Sequence, residues 1–211
     1  MKVVSLIPAR KGSKGLLGKN LIDIAGQPLI CHTIKTSINS DLIDETWVIS
    51  DCSKIKEVAI NCGAKFIQRP QNLANDLIMP DASLVHFANN YKFDILVFIQ
   101  PTSPLLETKY INDGLRMMDK YDSVFSVYKE HWLPKWNEKN EPLNWTITKR
   151  PRRQDVKETF VENGAFYITK RDFLLNSNLR YSGVIGTVKM PFSKSFQLDN
   201  EDDLEIIKKL L

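Results

Sequence analysis

The sequence predicts a single α/β domain on a mostly parallel, doubly wound sheet, and three observations carry that prediction. Short β-branched runs alternate with longer segments whose apolar residues recur at helical spacing. The first such run passes directly into a glycine-rich, cationic loop, as strands do at the carboxyl edge of such sheets. The 211 residues suit one compact domain with a sizeable core.

Taken in order, Lys2 to Pro8 reads as a buried strand. Leu29, Ile30, Thr33, Ile34 and Ile38 place a helix over Pro28 to Ser40, opened by its proline. Glu45 to Ser50 is a second strand, Ser53 to Cys62 a helix ended by Gly63, and Ala64 to Gln68 a third strand. A helix over Asp81 to Asn90 leads to the central strand Asp94 to Ile99. Glu107 to Lys120 reads as helix and Ser123 to Tyr128 as strand. The rhythm then breaks: residues 129–162 hold Trp132, Trp136 and Trp145 among prolines and charges with no sustained period. That much irregular chain inside a compact domain is usually functional or partner-bound. Gly164 to Thr169 and Val184 to Met190 resume as strands, and Asp202 to Leu211 closes as a helix. There is no internal repeat and no low-complexity tract.

A formal charge of +4 from scattered cations, without a basic stripe interleaved with aromatics, argues against nucleic acid and for small anionic substrates. Cys31, Cys52 and Cys62 are odd in number and lack paired metal spacing, which predicts reduced, structural thiols. The apolar start is too short for a signal peptide and no 18-residue apolar run occurs, so a soluble cytoplasmic protein without membrane association is expected.

The segment LIPARKGSKGLLGKN, Leu6 to Asn20, carries Arg10, Lys11, Lys14 and Lys19. It lacks the Gly-Lys-Ser/Thr ending of the nucleotide-hydrolase P-loop and does not match Gly-x-Gly-x-x-Gly. Backbone N–H groups in such a turn can face phosphate oxygens, with the cations adding charge; from spacing alone a solvated basic hairpin is the other reading. Asp51, at a strand's carboxyl end, is placed either for function or to cap the following helix. Asp202 and Asp203 read as acidic charge at a helix N-terminus. His32 reads as a packing or surface residue, and His86 and His131 have no partner at catalytic or metal spacing.

Ala9-Arg10-x-Gly12-Ser13-Lys14-Gly15 followed by Lys19-Asn20 resembles the signature of the acylneuraminate cytidylyltransferases, which activate nine-carbon 2-keto sugar acids with CTP. Arg69-Pro70 with Leu73-Ala74 and Asp76 resembles a second segment of that family, with Asn75 where glycine is common. Gln100-Pro101-Thr102-Ser103-Pro104-Leu105 resembles a third, Leu106 standing where arginine often follows. Arg153-Gln154-Asp155 and Glu162-Asn163-Gly164-Ala165-Phe166-Tyr167 are similar to two further blocks, in the right order across almost the whole chain.

The resemblance implies a Rossmann-like homodimer, one nucleotidyltransferase domain over 1–211 with an inserted dimerisation and substrate-binding arm over 129–162. Arg10 and Lys19 would neutralise the triphosphate, with Asn20 nearby; Gly12, Ser13 and Arg69 would also bind the nucleotide. The backbone at Pro8 and Ala9, with Ser83, would meet the cytosine. Gln100, Arg153 and Tyr167 would contact the sugar acid, the arginine pairing with its carboxylate, and Asn163 would touch nucleotide or sugar. The family pairs two aspartates before the C-terminal helix for Mg²⁺; here Asp199 matches the second and Gln197 replaces the first. Arg10, Lys19 and Asp199 are thus the expected catalytic set, Asp199 the metal ligand. The implied reaction joins CMP to a nonulosonic acid and releases pyrophosphate. Another acid sugar, such as a diamino nonulosonate or an eight-carbon ulosonate, and a regulatory nucleotide-binding protein without turnover are the alternatives.

Overall fold

The computed structural model describes residues 1–12, 15–73 and 79–211. Ser13 and Lys14 of the opening loop, and Ala74, Asn75 and Asp76 of the second motif, lie outside the described residues. Seven strands form the main sheet: β1 (Val3–Pro8), β4 (Glu45–Ser50), β5 (Lys65–Gln68), β6 (Ile95–Ile99), β7 (Ser123–Lys129), β8 (Phe160–Lys170) and β9 (Ile185–Met190). Their order is β5-β4-β1-β6-β8-β7-β9, and β8 runs against the other six. A small hairpin, β2 (Asp23–Ile24) with β3 (Gln27–Pro28), stands apart.

Helices α1 (Leu29–Ile38), α2 (Ser53–Asn61) and α4 (Thr108–Met117) cover one face, where Ile30, Ile34, Ile55, Ala59 and Ile111 pack on Ile7, Val48 and Val97. Helices α3 (Pro80–Asn90) and α5 (Arg171–Ser177) cover the other, with Leu84, Phe87 and Leu174 against Leu6, Leu96 and Tyr167. The alternation along β6 shows both layers: Ile95, Val97 and Ile99 face one cluster, Leu96 and Phe98 the other. A third cluster joins α6 (Glu201–Leu210) to the hairpin through Ile207, Leu198, Ile24 and Leu29, with Leu16 of the opening loop on it. The C-terminal helix is thereby fastened beside that loop.

The predicted elements are present, with differences that have physical causes. The hairpin escaped the periodicity because each strand is two residues long; its signal was the Ala25-Gly26 turn, both residues at positive φ. Strand β8 starts at Phe160 rather than Gly164, because Val161 and Glu162 pair with Tyr128 and Val127 across polar sequence. Irregular chain therefore occupies residues 130–159, with isolated bridges Trp136↔Pro142 and Thr146↔Lys149. Helix α6 begins one residue early under a capping box: Asp203 N donates to Asn200 Oδ1 at 3.0 Å and Asn200 N to Asp203 Oδ2 at 3.1 Å. His32 is buried as a packing residue, its Nε2 2.9 Å from Ile24 O and Nδ1 3.0 Å from Gln27 Nε2.

The expectation of three reduced thiols is corrected. Cys31 and Cys62 form a disulfide, leaving Cys52 free. Packing of α1 beside the end of α2 brings the two Cα atoms to 6.0 Å, a helix–helix contact that sequence spacing does not encode.

Helix α4 approaches the sheet at Gly114, where a Cβ would lie 2.7 Å from Ile168 Cδ1 and 3.2 Å from Phe166 Cε2. Alanine would gain up to about 1 kcal/mol in helix propensity but cost about 1–3 kcal/mol in overpacking. Gly114→Ala is expected to lower urea-unfolding stability by about 1–2 kcal/mol; a stabilised variant would show that α4 is free to shift outward.

Candidate functional site

Strands β1, β4, β5 and β6 all deliver their carboxyl ends to one edge, and the antiparallel β8 brings its amino-terminal half to the same edge. There Ala9 N donates to Ile49 O at 2.9 Å and Arg69 N to Ser50 O at 2.8 Å, fastening the start of the loop and the residue after β5 to β4. Asp51 Oδ1 accepts Lys11 N at 2.8 Å. The open question about Asp51 resolves toward the loop, since α2 has no side-chain cap.

The opening loop turns over its own side chains. Gly18, at φ 66°, starts a single 3-10 turn over Lys19–Leu21. The turn points Asn20 inward, where its Nδ2 donates to Arg10 O at 3.1 Å. Lys19 Nζ reaches Asp199 Oδ1 at 2.8 Å, linking the two ends of the chain. Gly15 faces the same segment: a Cβ there would meet Asp199 O at 2.1 Å, so only glycine permits this approach. Gly12 has open space around it and Pro8 ends β1.

Arg69 is buried. Burial lowers its guanidinium pKa, Asp51 opposes that shift and Arg10 adds to it, so the three charges share one neighbourhood. Five buried side-chain polar atoms have no hydrogen-bond partner among the described residues: Asn20 Oδ1, Arg69 Nε, Ser83 Oγ, Ser103 Oγ and Trp145 Nε1. Three belong to residues expected to hold the nucleotide, and Ser103 lies in the turn after Gln100. Buried polar groups are ordinarily satisfied because an orphan costs about 1–3 kcal/mol.

The second half of the edge is a seam between β6 and β8. Gln100 N donates to Ala165 O at 3.1 Å, and Leu198 N to Thr102 O at 2.8 Å. Gly164, at φ 68°, lies where a Cβ would stand 2.3 Å from Gln197 Nε2 and 3.3 Å from Gln100 Nε2. Gln197 Nε2 donates to Asn163 O at 2.5 Å. Asn163 is buried and committed: Oδ1 accepts Ser126 Oγ at 2.5 Å, and Nδ2 donates to Ser195 Oγ at 2.9 Å. Its side chain organises the seam.

Tyr167 is 2% exposed, and its hydroxyl donates to Glu162. Burial, then that bond, pushes its phenol pKa up. Its ring stacks on Phe98, with centroids 5.4 Å apart. Arg153 stands apart, exposed in a 3-10 turn on the irregular arm, and makes no hydrogen bond or ion pair with a described residue. The structure thus gathers Arg10, Lys19, Asn20, Arg69 and Asp199 on the loop side and Gln100, Asn163 and Tyr167 on the seam side, with Ser83 buried on α3. Within one chain it leaves Arg153 outside.

Asp199 fits Mg²⁺ only as a minority ligand. No group of three or more His, Cys, Asp or Glu side chains able to hold a metal occurs among the described residues. Mg²⁺ usually keeps several waters and shares its shell with phosphates, so one exposed carboxylate beside a phosphate loop suits it. Gln197 turns its amide N–H to Asn163 O, a bond a carboxylate cannot donate.

Sequence reading missed Asp81, Arg180 and Glu162. Asp81 Oδ1 accepts Arg180 N at 2.7 Å and Arg180 Nε at 3.1 Å, a pairing across 99 residues that no local signal announces.

A mostly parallel α/β domain with a glycine-rich, cationic loop at its carboxyl edge has the architecture common among nucleotide-binding proteins. The comparisons narrow it: residues 4–211 match the family model described as Cytidylyltransferase, and the chain belongs to that family. It is 32% identical over 217 residues to N-acylneuraminate cytidylyltransferase A of Danio rerio, covering 98% of this chain and 50% of that protein. It is 28% identical over 227 residues to a pseudaminic acid cytidylyltransferase of Campylobacter jejuni, covering 100% and 96%. The chain spans about half the length of the N-acylneuraminate cytidylyltransferases it matches. Its fold resembles a CMP:2-keto-3-deoxy-manno-octonic acid synthetase complexed with CTP, at TM-score 0.78 and 23% identity over 100% of this chain and 98% of that one.

Proposed function

We propose that the protein transfers a cytidylyl group from CTP to a nonulosonic 2-keto sugar acid. The observation that carries this reading is the set of orphaned buried polar atoms on Asn20 and Arg69 beside the cationic loop and on Ser83 of α3. The relatives named for N-acylneuraminate and pseudaminic acid supply the substrate class.

In the reaction, the anomeric hydroxyl oxygen of the acid forms a bond to the α-phosphorus. The bond from that phosphorus to the bridging oxygen breaks, pyrophosphate leaves with the electron pair, and the hydroxyl proton goes to a base. Catalysis of this kind is positioning and charge neutralisation. Arg10 and Lys19 would neutralise the triphosphate, and the loop's backbone would fix its path. Gln100 and Tyr167 would border the acid. Mg²⁺, held by Asp199 with phosphate and water, would add charge neutralisation when bound. No helix among the described residues is long and apolar enough to cross a membrane.

The arm over 130–159 would join two copies. Leu133, Trp136, Leu143 and Ile147 are 50–72% exposed on it, an apolar surface suited to burial against a second chain. A partner's arm would then bring Arg153 toward the acid.

Two experiments follow. Protein incubated with CTP, Mg²⁺ and a panel of nine-carbon, diamino nine-carbon and eight-carbon keto acids is expected to release pyrophosphate with a nine-carbon acid. Arg10→Ala should lower kcat/KM by roughly 30- to 1,000-fold. CTP binding without release from any acid would contradict the enzyme reading and favour a regulatory protein, while preference for the eight-carbon acid would correct the substrate. For the arm, light scattering should give a dimer that Trp136→Glu with Leu143→Glu converts to monomer; a monomeric parent protein would contradict this role.

A further inference from the structure

The seam side holds an ion pair to which the proposed reaction assigns no role. Arg180 lies between α5 and β9; Asp81 is in the first turn of α3. Arg180 Nε donates to Asp81 Oδ1 at 3.1 Å and Oδ2 at 3.2 Å, Nη2 donates to Oδ2, and Arg180 N adds a bond of 2.7 Å to Oδ1. The two side chains are only 13% and 11% exposed. Burial works against both charges, yet the mutual bonds outweigh it, lowering the Asp81 pKa and raising that of Arg180.

The guanidinium is also a planar surface. Its carbon sits 5.0 Å from the Tyr167 ring centroid and 5.4 Å from that of Phe98. Tyr167 in turn stacks on Phe98 at 5.4 Å, on Tyr181 at 6.1 Å and on Phe125 at 6.2 Å. Glu162 holds its hydroxyl and Phe98 and Phe125 flank its ring along the sheet, while the Arg180 guanidinium lies over the ring face. Asp81 lies two residues before Ser83, whose hydroxyl is a buried orphan. The pair therefore connects the helix carrying a proposed nucleotide contact to the strand carrying a proposed acid contact. An apolar pair could fill that volume without the desolvation cost, so the pair is weak evidence for stability, and its contact with the Tyr167 ring is what sets it apart.

We propose that Arg180, clamped by Asp81, is a positioning residue for the acid half of the site, fixing the buried Tyr167 ring that underlies that half. The inference rests on the cytidylyl-transfer reading. It requires the flat, forked guanidinium, so lysine, a point charge on a flexible stem, does not replace it.

The test uses Arg180→Lys and the double variant Asp81→Asn with Arg180→Met, which leaves no buried charge unpaired. CTP affinity by calorimetry, thermal stability and steady-state kinetics are measured for each. Both variants are expected to fold, to bind CTP within about twofold of the parent, and to lose at least about tenfold in kcat/KM for the acid, chiefly through KM. Unchanged kinetics for the acid would overturn the inference while leaving the reaction intact. Equal losses in CTP and acid affinity, or failure of both variants to fold, would overturn it by making the pair a general support. If the parent releases no pyrophosphate from any acid, the reaction itself fails and the inference falls with it.

Discussion

The pairing of β6 with β8 is the constraint on which the site depends. β8 runs against its neighbours, so its amino-terminal half, not its end, meets the carboxyl edge of β1, β4, β5 and β6. Register fixes the consequence: Ile99 faces Phe166, Gln100 bonds to Ala165, and Asn163 and Gly164 fall beside Gln100. A shift of one residue would exchange the two faces of β8, moving Tyr167 from the α3 side and Phe166 from the α4 side. A slip there would dismantle both cores as well as the site, so the site inherits its precision from the fold.

Around that seam the chain spends its polar groups differently on the two sides. On the seam side, Ser103 Oγ excepted, they are satisfied internally: Asn163 bonds Ser126, Ser195 and Gln197, Tyr167 bonds Glu162, and Asp81 bonds Arg180. On the loop side Asn20, Arg69 and Ser83 keep buried atoms without partners. A preorganised wall facing a set of unmet donors and acceptors is the arrangement expected where one substrate is held rigidly and another supplies the missing bonds. Lys19 and Asp199 fasten the C-terminal segment across the loop, with Gly15 permitting the close approach.

Much of this was legible in the sequence, for identifiable reasons. β1, β4 and β6 announce themselves because both their faces are buried, and α6 because Asp202 and Asp203 read as acidic charge at its start; the Asn200 cap is visible only in the structure. The loop was legible because its glycines and cations are contiguous. The two-residue strands β2 and β3 carried too few residues for periodicity, and the polar Glu162-Asn163-Gly164 concealed the start of β8. The Cys31–Cys62 bond and the Asp81–Arg180 pair depend on packing between elements distant in sequence, which composition and local spacing do not encode. Gln197 was visible as a missing carboxylate; that its amide donates to Asn163 O is visible only in three dimensions.

Gly164 tests the dependence of both half-sites on this seam most directly. At its φ of 68° a side chain is strained, and a Cβ 2.3 Å from Gln197 Nε2 would push that amide off Asn163 O, while the cationic loop follows a different strand. With Gly164→Ala, calorimetric CTP affinity should stay within a few-fold of the parent while the rate of pyrophosphate release with the accepted acid falls about 100-fold, the cost of an ångström-scale misplacement. Turnover near that of the parent, in a variant that folds, would show that the two halves do not depend on the seam for their alignment.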